Sequence, residues 1–335
     1  MSKPTVAVLT GKANYARIFE PQVTARLAEL TNMVVHDGER PPTPEEAGKL
    51  LAQADIAITS WGSPKFNAAL LDKAPSLKLV VYAAGSIKPI VTDTLYERQI
   101  TITSGACVIG IGVAETALGL IIMAMKNIFE ISAAVREGGW KVDPAIRSRV
   151  KEMICTTVGV VGAGHVGRYL LSLLRHFDVR ILLYDPTLTP EQAEALGATL
   201  VDLDTLMKES DVVTLHAPSI PATRHMINAR NLALMKDGAA LVNTARGSLI
   251  DEDALYKELA TGRLKAFLDV TDPEPPKEDN PLLKLPNCIV TPHIAGGVTT
   301  GLYRLGRYTL EEVERFIEGR PPLNPVRQEQ LGQLA

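Results

Sequence analysis

The sequence predicts an α/β protein of two Rossmann-like, doubly wound parallel-sheet domains with a cleft between them. Three observations predict it. Short β-branched runs alternate with amphipathic stretches along the chain. A glycine-rich turn at 162–167 joins an apolar run to a helical pattern. A length of 335 residues exceeds what one compact core usually takes.

Taken in order, TVAVLT at 5–10, ADIAITS at 54–60 and LKLVVYAA at 77–84 read as strands, and the stretches 22–30, 44–52 and 64–72 between them as helices. Thr43-Pro44 and Ser63-Pro64 supply caps and helix openings. With the short run ITITSG, a first parallel-sheet unit occupies roughly 1–105. The segment VAETALGLIIMAMKNIFEISAAVREGG, 113–139, is apolar on nearly every helical face and should be one long buried helix. It reads either as a core helix or as a helix crossing between domains and shared with a subunit interface. The stretch 138–151, with Gly139-Trp140 and Pro144, reads as a linker or arm. A second series follows, with strands at 156–161, 179–184, 211–215, 239–244, 266–270 and 288–291. Six such strands suit a doubly wound sheet better than a barrel, because the ligand signals cluster at strand ends of one unit. The last helical pattern, LYRLGRYTLEEVERFIEG, stops at Gly319 and Pro321-Pro322 and would return the chain to the first unit.

Composition narrows the function classes. With 46% hydrophobic and 22% charged residues the chain is neither disordered nor low-complexity. Lys plus Arg is 35 against 38 for Asp plus Glu, so no basic field exists for nucleic acid or an anionic membrane, and neither is expected as a partner. Cys107, Cys155 and Cys288 form no disulfide or zinc pattern, which with the lack of a signal-peptide core predicts a cytoplasmic protein. The longest apolar stretch, 113–125, falls short of the roughly 20 residues of a membrane span. No metal-ligand spacing occurs, so no metal is expected.

The chemistry-bearing residues cluster after strands. Gly162, Gly164 and Gly167 form a G-x-G-x-x-G turn: the first permits a tight turn, the second a close approach of pyrophosphate, the third close helix packing. The phosphates would meet unpaired N–H groups at the helix start. His165 lies within this turn and would contact phosphate. Asp185, 18 residues after Gly167 at the end of VRILLY, would accept from both adenosine ribose hydroxyls and repel a 2′-phosphate, favouring NAD over NADP. Its alternative is a turn former before Pro186. Arg246 follows the strand AALVNTA and could bind a carboxylate by two points while polarising a carbonyl, or form a structural salt bridge. Glu274 and His293 lie past two further strand ends, where an imidazole can exchange a proton with an alcohol and a carboxylate can orient it. Each alone reads more often as a structural histidine or a solvated acid; the coincidence of all three at one sheet edge beside the glycine turn favours the functional reading. His216 and Pro218 would wall the adenine or pyrophosphate groove, or be purely structural.

The ordered set VGVVGAGHVGR with Asp185-Pro186, LHAPSIPATRHMIN, LMKDGAALVNTARGSLIDEDAL, LDVTDPEPP and TPHIAGG resembles the D-isomer-specific 2-hydroxyacid dehydrogenase family over nearly the whole chain. The resemblance implies a flavodoxin-like substrate domain of 1–105 plus 298–335 and an NAD-binding Rossmann domain of 106–297. It implies catalytic roles for Arg246, Glu274 and His293, with Arg246 and His293 also binding substrate. It adds Val166, Thr223, Thr244, Ala245, Asp269 and Gly296 to the cofactor residues. Gly85 and Ser86, in the loop Tyr82-Ala-Ala-Gly-Ser-Ile-Lys-Pro89, would offer backbone N–H groups to the substrate carboxylate, although this loop lacks the family's usual Asp-Asn-like end. Trp61 could line the acyl pocket or pack in the core. The implied activity is NAD(H)-dependent interconversion of a 2-oxo acid and a D-2-hydroxy acid, of the glyoxylate/hydroxypyruvate reductase or short phosphoglycerate dehydrogenase type. The implied assembly is a homodimer built through the NAD domains, the long helix and the arm near Trp140. Glu274 argues against formate dehydrogenases, which typically place Gln there. A different class, NAD(H)-sensing corepressors of the same fold, retains the same three residues.

Overall fold

Alternation of apolar runs with amphipathic stretches builds two separate parallel sheets. The computed structural model describes residues 3–138, 140 and 143–334. The chain divides into one unit of Met1–Ile109 with Gly297–Ala335 and a second of Gly110–Gly296.

In the first unit, β1 (Thr5–Val8), β2 (Asn32–Val35), β3 (Ile56–Thr59), β4 (Leu79–Tyr82) and β5 (Thr101–Ser104) lie in the order β2-β1-β3-β4-β5, all parallel. This is the 2-1-3-4-5 order of flavodoxin-like sheets. The two-residue period divides the core: Val6, Val8, Ile56 and Ile58 face a layer with Ile18, Leu27 and Leu305, while Ala7, Leu9, Ala57 and Val80 face one with Leu51, Phe66 and Leu95. Strand β2 carries no expectation from the sequence, because an edge strand need not be apolar on both faces, and Val34 and Val35 are exposed. The helix Lys12–Ile18 is likewise unanticipated. The helix expected over 64–72 shrinks to Ala68–Leu71: Asn67, not Ser63, caps it through Leu70 N–H at 3.0 Å, and Phe66 is tied to Ile90 O instead.

The helix Gly301–Ile317 belongs to this unit and packs on its sheet. It ends as the sequence predicts: Gly319, at φ +68°, lets Arg320 N–H reach Arg315 O at 2.8 Å. The chain then runs antiparallel to β5, with Val326 N–H donating to Ile102 O and Thr103 bridged to Pro325.

In the second unit, β6 (Ile154–Val161), β7 (Asp178–Tyr184), β8 (Thr199–Leu200), β9 (Val212–Leu215), β10 (Ala240–Asn243), β11 (Lys265–Leu268) and β12 (Cys288–Val290) form a parallel sheet ordered β12-β11-β10-β9-β6-β7-β8. That is the doubly wound dinucleotide-binding order with one further strand, and its order reverses between β6 and β9. The seventh strand, β8, is a two-residue edge too short to leave a pattern in the sequence.

The single helix expected over 113–139 is two. Ala106–Met125 and Ile128–Gly138 are separated at Asn127, which takes φ +53° and donates from Nδ2 to Glu130 Oε2 at 2.8 Å. Asparagine tolerates this left-handed conformation where most residues do not. Nor is the first helix wholly buried. Gly110, Ala114, Ala117, Ile121 and Ala124 form one buried stripe, while Leu118, Leu120, Ile122 and Met123 are half-buried. At 20 residues it is also long and apolar enough to cross a membrane by length and composition, which corrects the shorter span read from sequence. In the segment read as an arm, Gly139 lies outside the described residues, Trp140 is 91% exposed, and Pro144–Arg147 is a short helix capped by Asp143.

Candidate active site

All side chains considered catalytic from sequence lie in the second unit, at the carboxyl edge of its sheet. The turn after β6 comes first. Gly162 takes φ +97°, and a Cβ there would stand 2.8 Å from Ala217 N; a Cβ on Gly167 would stand 2.0 Å from Gly162 O. The protein itself therefore requires glycine at both positions. Gly164 differs: its φ is ordinary, and a Cβ would meet no atom within 4 Å. The space it leaves lies at the N-terminus of the helix His165–Leu174, whose first amides, including those of Val166 and Gly167, lack intrahelical acceptors. An open cradle lined by helix N–H groups fits the pyrophosphate of a dinucleotide.

Asp185 follows β7. Its Oδ2 accepts from Ala163 N–H at 2.8 Å, and its Oδ1 from Thr187 N–H and Oγ1 at 2.9 and 2.7 Å. Burial pushes its pKa up, but the Thr187 and Ala163 hydrogen bonds and nearby Arg168 outweigh burial and hold it below the usual value. The residue is thus both the turn former and a tie to the glycine turn. Three of its roughly four acceptor sites are occupied, leaving about one for a ribose hydroxyl rather than two.

His216 follows β9 and Thr244 follows β10, at successive register positions on neighbouring strands. Burial pushes the His216 imidazole down to about 3, so it is neutral; one ring nitrogen pairs with Thr214 Oγ1 at 3.0 Å. His216 Nδ1 and Thr244 Oγ1 are buried without partners, polar groups that a ligand at this edge would satisfy. Together with the cradle they fit NAD. Thr223 is instead occupied within its own loop, donating to Pro218 O at 2.5 Å and accepting from Ile220 N–H.

Arg246 leaves β10 through a turn stapled by Asn243, whose side chain accepts from Ala245 N–H and donates to Arg246 O. Arg246 Nη1 donates to Ala245 O at 2.7 Å. Burial lowers its pKa and the charge of Glu274 opposes that shift, so the two residues are electrostatic neighbours. Gly247 explains the proximity: a Cβ there would stand 2.0 Å from Thr271 C, so this turn lies directly on the loop carrying Glu274. Both prolyl bonds flanking Glu274 in that loop are cis.

Glu274 Oε1 meets His293 Nδ1 at 2.5 Å, with side chains 40% and 46% exposed respectively. Nδ1 being engaged, Nε2 is the nitrogen open to a reacting oxygen. His293 stands at φ +53°. The buried Asp269 secures that loop: its carboxylate accepts from Thr291 Oγ1, Ile294 N–H and Ala295 N–H at 2.5 to 2.9 Å, and its carbonyl accepts from His293 N–H. Every one of these partners belongs to the His293 loop, so Asp269 supports that loop, a role the sequence did not suggest. Gly296 closes the unit, after Ala295 O accepts from Thr116 Oγ1. Gly85 and Ser86 lie in the first unit, just past β4, and Trp61, past β3 in the same unit, is exposed rather than packed in the core. Among the described residues no group of three His, Cys, Asp or Glu side chains could hold a metal ion.

Comparison with known proteins gives the family and the fold. Residues 118–295 match the model of the D-isomer specific 2-hydroxyacid dehydrogenase NAD binding domain. The chain is 36% identical over 301 residues to D-3-phosphoglycerate dehydrogenase of Methanocaldococcus jannaschii, covering 87% of this chain but 56% of that one. It is 33% identical to hydroxypyruvate reductase of Thermotoga maritima, covering 85% and 94%. Apo D-mandelate dehydrogenase of Rhodotorula graminis superimposes with a TM-score of 0.80 at 26% identity, over 98% of each chain.

Proposed function

The chain belongs to the D-isomer-specific 2-hydroxyacid dehydrogenase family, and on that premise we propose that it is an NAD(H)-dependent enzyme interconverting a 2-oxo acid and a D-2-hydroxy acid. The observation that carries the reading is the His293–Glu274 pair beside Arg246 at the sheet edge that holds the glycine cradle. In the reductive direction His293 Nε2 gives a proton to the substrate's carbonyl oxygen, and in the oxidative direction takes one from the hydroxyl. Glu274 fixes the ring and its orientation through Nδ1. Arg246 receives the substrate carboxylate and carbonyl oxygen with its planar fork. When bound at the glycine cradle, the nicotinamide cofactor would supply the hydride for reduction of carbon 2 and would accept it in the reverse direction. Glycine 164, the first-turn amides, His216 and Thr244 hold the dinucleotide; Gly85 and Ser86 offer N–H groups to the substrate carboxylate.

The substrates we favour are small acids of the glyoxylate and hydroxypyruvate kind, with 3-phosphoglycerate oxidation as the other arm. A second copy of the chain is the proposed partner, docking on the half-buried apolar face of Ala106–Met125. Three free cysteines suit the cytoplasm. A panel of 2-oxo acids followed by loss of NADH absorbance, with NADPH in parallel, tests the reading. Turnover of at least one acid is expected. Tight NADH binding with no turnover on any acid overturns it in favour of an NAD(H) sensor.

A further inference from the structure

The Gly85 carbonyl is held from behind by hydrogen bonds that begin near the carboxyl terminus of the first unit. Ser104, the buried last residue of β5, donates its hydroxyl to Gly85 O at 2.9 Å, with Ala84 O a longer alternative at 3.5 Å. The same oxygen accepts from Ala106 N–H at 3.2 Å. Asn324 takes both peptide groups of Ser104: Ser104 N–H donates to Asn324 O, and Asn324 Nδ2 donates to Ser104 O at 2.7 Å. Asn324 N–H and Leu323 N–H in turn donate to the two carboxylate oxygens of Glu312 at 3.2 and 3.1 Å.

Glu312 is 1% exposed, and among the described residues it forms no ion pair with Lys or Arg. A carboxylate buried without a cation is costly unless N–H groups solvate it. The Leu323 and Asn324 amides meet that need, so charge-assisted bonds clamp this segment to the helix Gly301–Ile317. The consequence reaches the loop through peptide geometry. The Gly85–Ser86 bond is trans, so the Gly85 carbonyl and the Ser86 N–H lie in one plane and point in opposite directions. Holding Gly85 O toward Ser104 aims the Ser86 N–H away from β5.

We propose that Ser104 is a positioning residue for the substrate carboxylate, itself fixed by the Glu312–Asn324 clamp, and that it sets 2-oxo acid affinity without touching substrate or cofactor. The proposal rests on the reading of Gly85 and Ser86 as carboxylate donors. Ser104→Ala should raise KM for an accepted 2-oxo acid about tenfold, the scale of one lost hydrogen bond, leave kcat and the NADH dissociation constant unchanged, and speed amide exchange over 83–88. Ser104→Thr, which keeps the hydroxyl, should restore KM. Glu312→Gln, which keeps one of two acceptor oxygens, should give a smaller rise. A Ser104→Ala enzyme with wild-type KM overturns the proposal, as does one losing kcat, KM and NADH affinity together. Should the wild type reduce no acid at all, the functional reading fails separately, and unchanged exchange over 83–88 in Ser104→Ala would then sink the positioning role.

Discussion

His293 occupies left-handed backbone space, where histidine is uncommon outside special loops. Its place there is secured by Asp269, whose carboxylate contacts residues 22 to 26 positions further on. Such a support needs no pattern of its own in the sequence, which is why Asp269 enters the sequence reading only through the resemblance, as a cofactor residue and not as the support of the His293 loop. Arg246, Glu274 and His293 stand out in the sequence as candidates because each lies a few residues past an apolar run that reads as a strand. On the proposed mechanism, replacing His293 with Ala removes the proton-transferring group and leaves the glycine cradle intact. Turnover should therefore fall by roughly 10²- to 10⁴-fold while NADH binding, followed by fluorescence titration, persists. Near-normal turnover would remove the acid–base assignment.

At the scale of elements, the turn between β6 and the helix His165–Leu174 separates two kinds of glycine. Gly167 is demanded by Gly162 O, whereas Gly164 faces space that no protein atom fills. Gly167→Ala should accordingly destabilise the fold by about 1–3 kcal/mol through overpacking, read as a lowered thermal midpoint. Gly164→Ser places a favoured residue at the N-cap, so the midpoint should hold while NADH affinity falls about tenfold or more, a loss of roughly 1.4 kcal/mol. Equal NADH affinity in Gly164→Ser and wild type would show that the dinucleotide does not approach there. The turn motif was readable because closely spaced glycines after an apolar run announce positions where a side chain will not fit. Strand β2, whose Val34 and Val35 are exposed, and β8, only two residues long, leave no such signal.

For the molecule as a whole, the helix Ala106–Met125 carries more apolar surface than its own fold covers, and Ile128, Trp140 and Ile154 add exposed apolar groups on the same unit. Exposed apolar groups of this kind fit the proposed docking of a second copy of the chain. Ile128→Asp should convert a dimer into a folded monomer, measured by light scattering with circular dichroism to confirm folding. A monomeric wild type, or a variant that stays dimeric, would refute the assignment of that surface. The break at Asn127, which turns one expected helix into two, was hidden because the apolar pattern continues across it while a single backbone conformation does not.

The sequence by itself determined the alternation of strands and helices, the two-sheet class, and which polar residues stand at strand ends, because these follow from local periodicity and from the conformational limits of glycine, proline and asparagine. Tertiary structure alone decided which of those residues meet. Glu274 finds His293 and Asp269 builds its loop only once strands distant in the chain become neighbours, and Glu312 meets the Leu323 and Asn324 N–H groups only once that segment folds back on its helix. Contacts of that kind depend on strand order and register, and neither is written in any single stretch of residues.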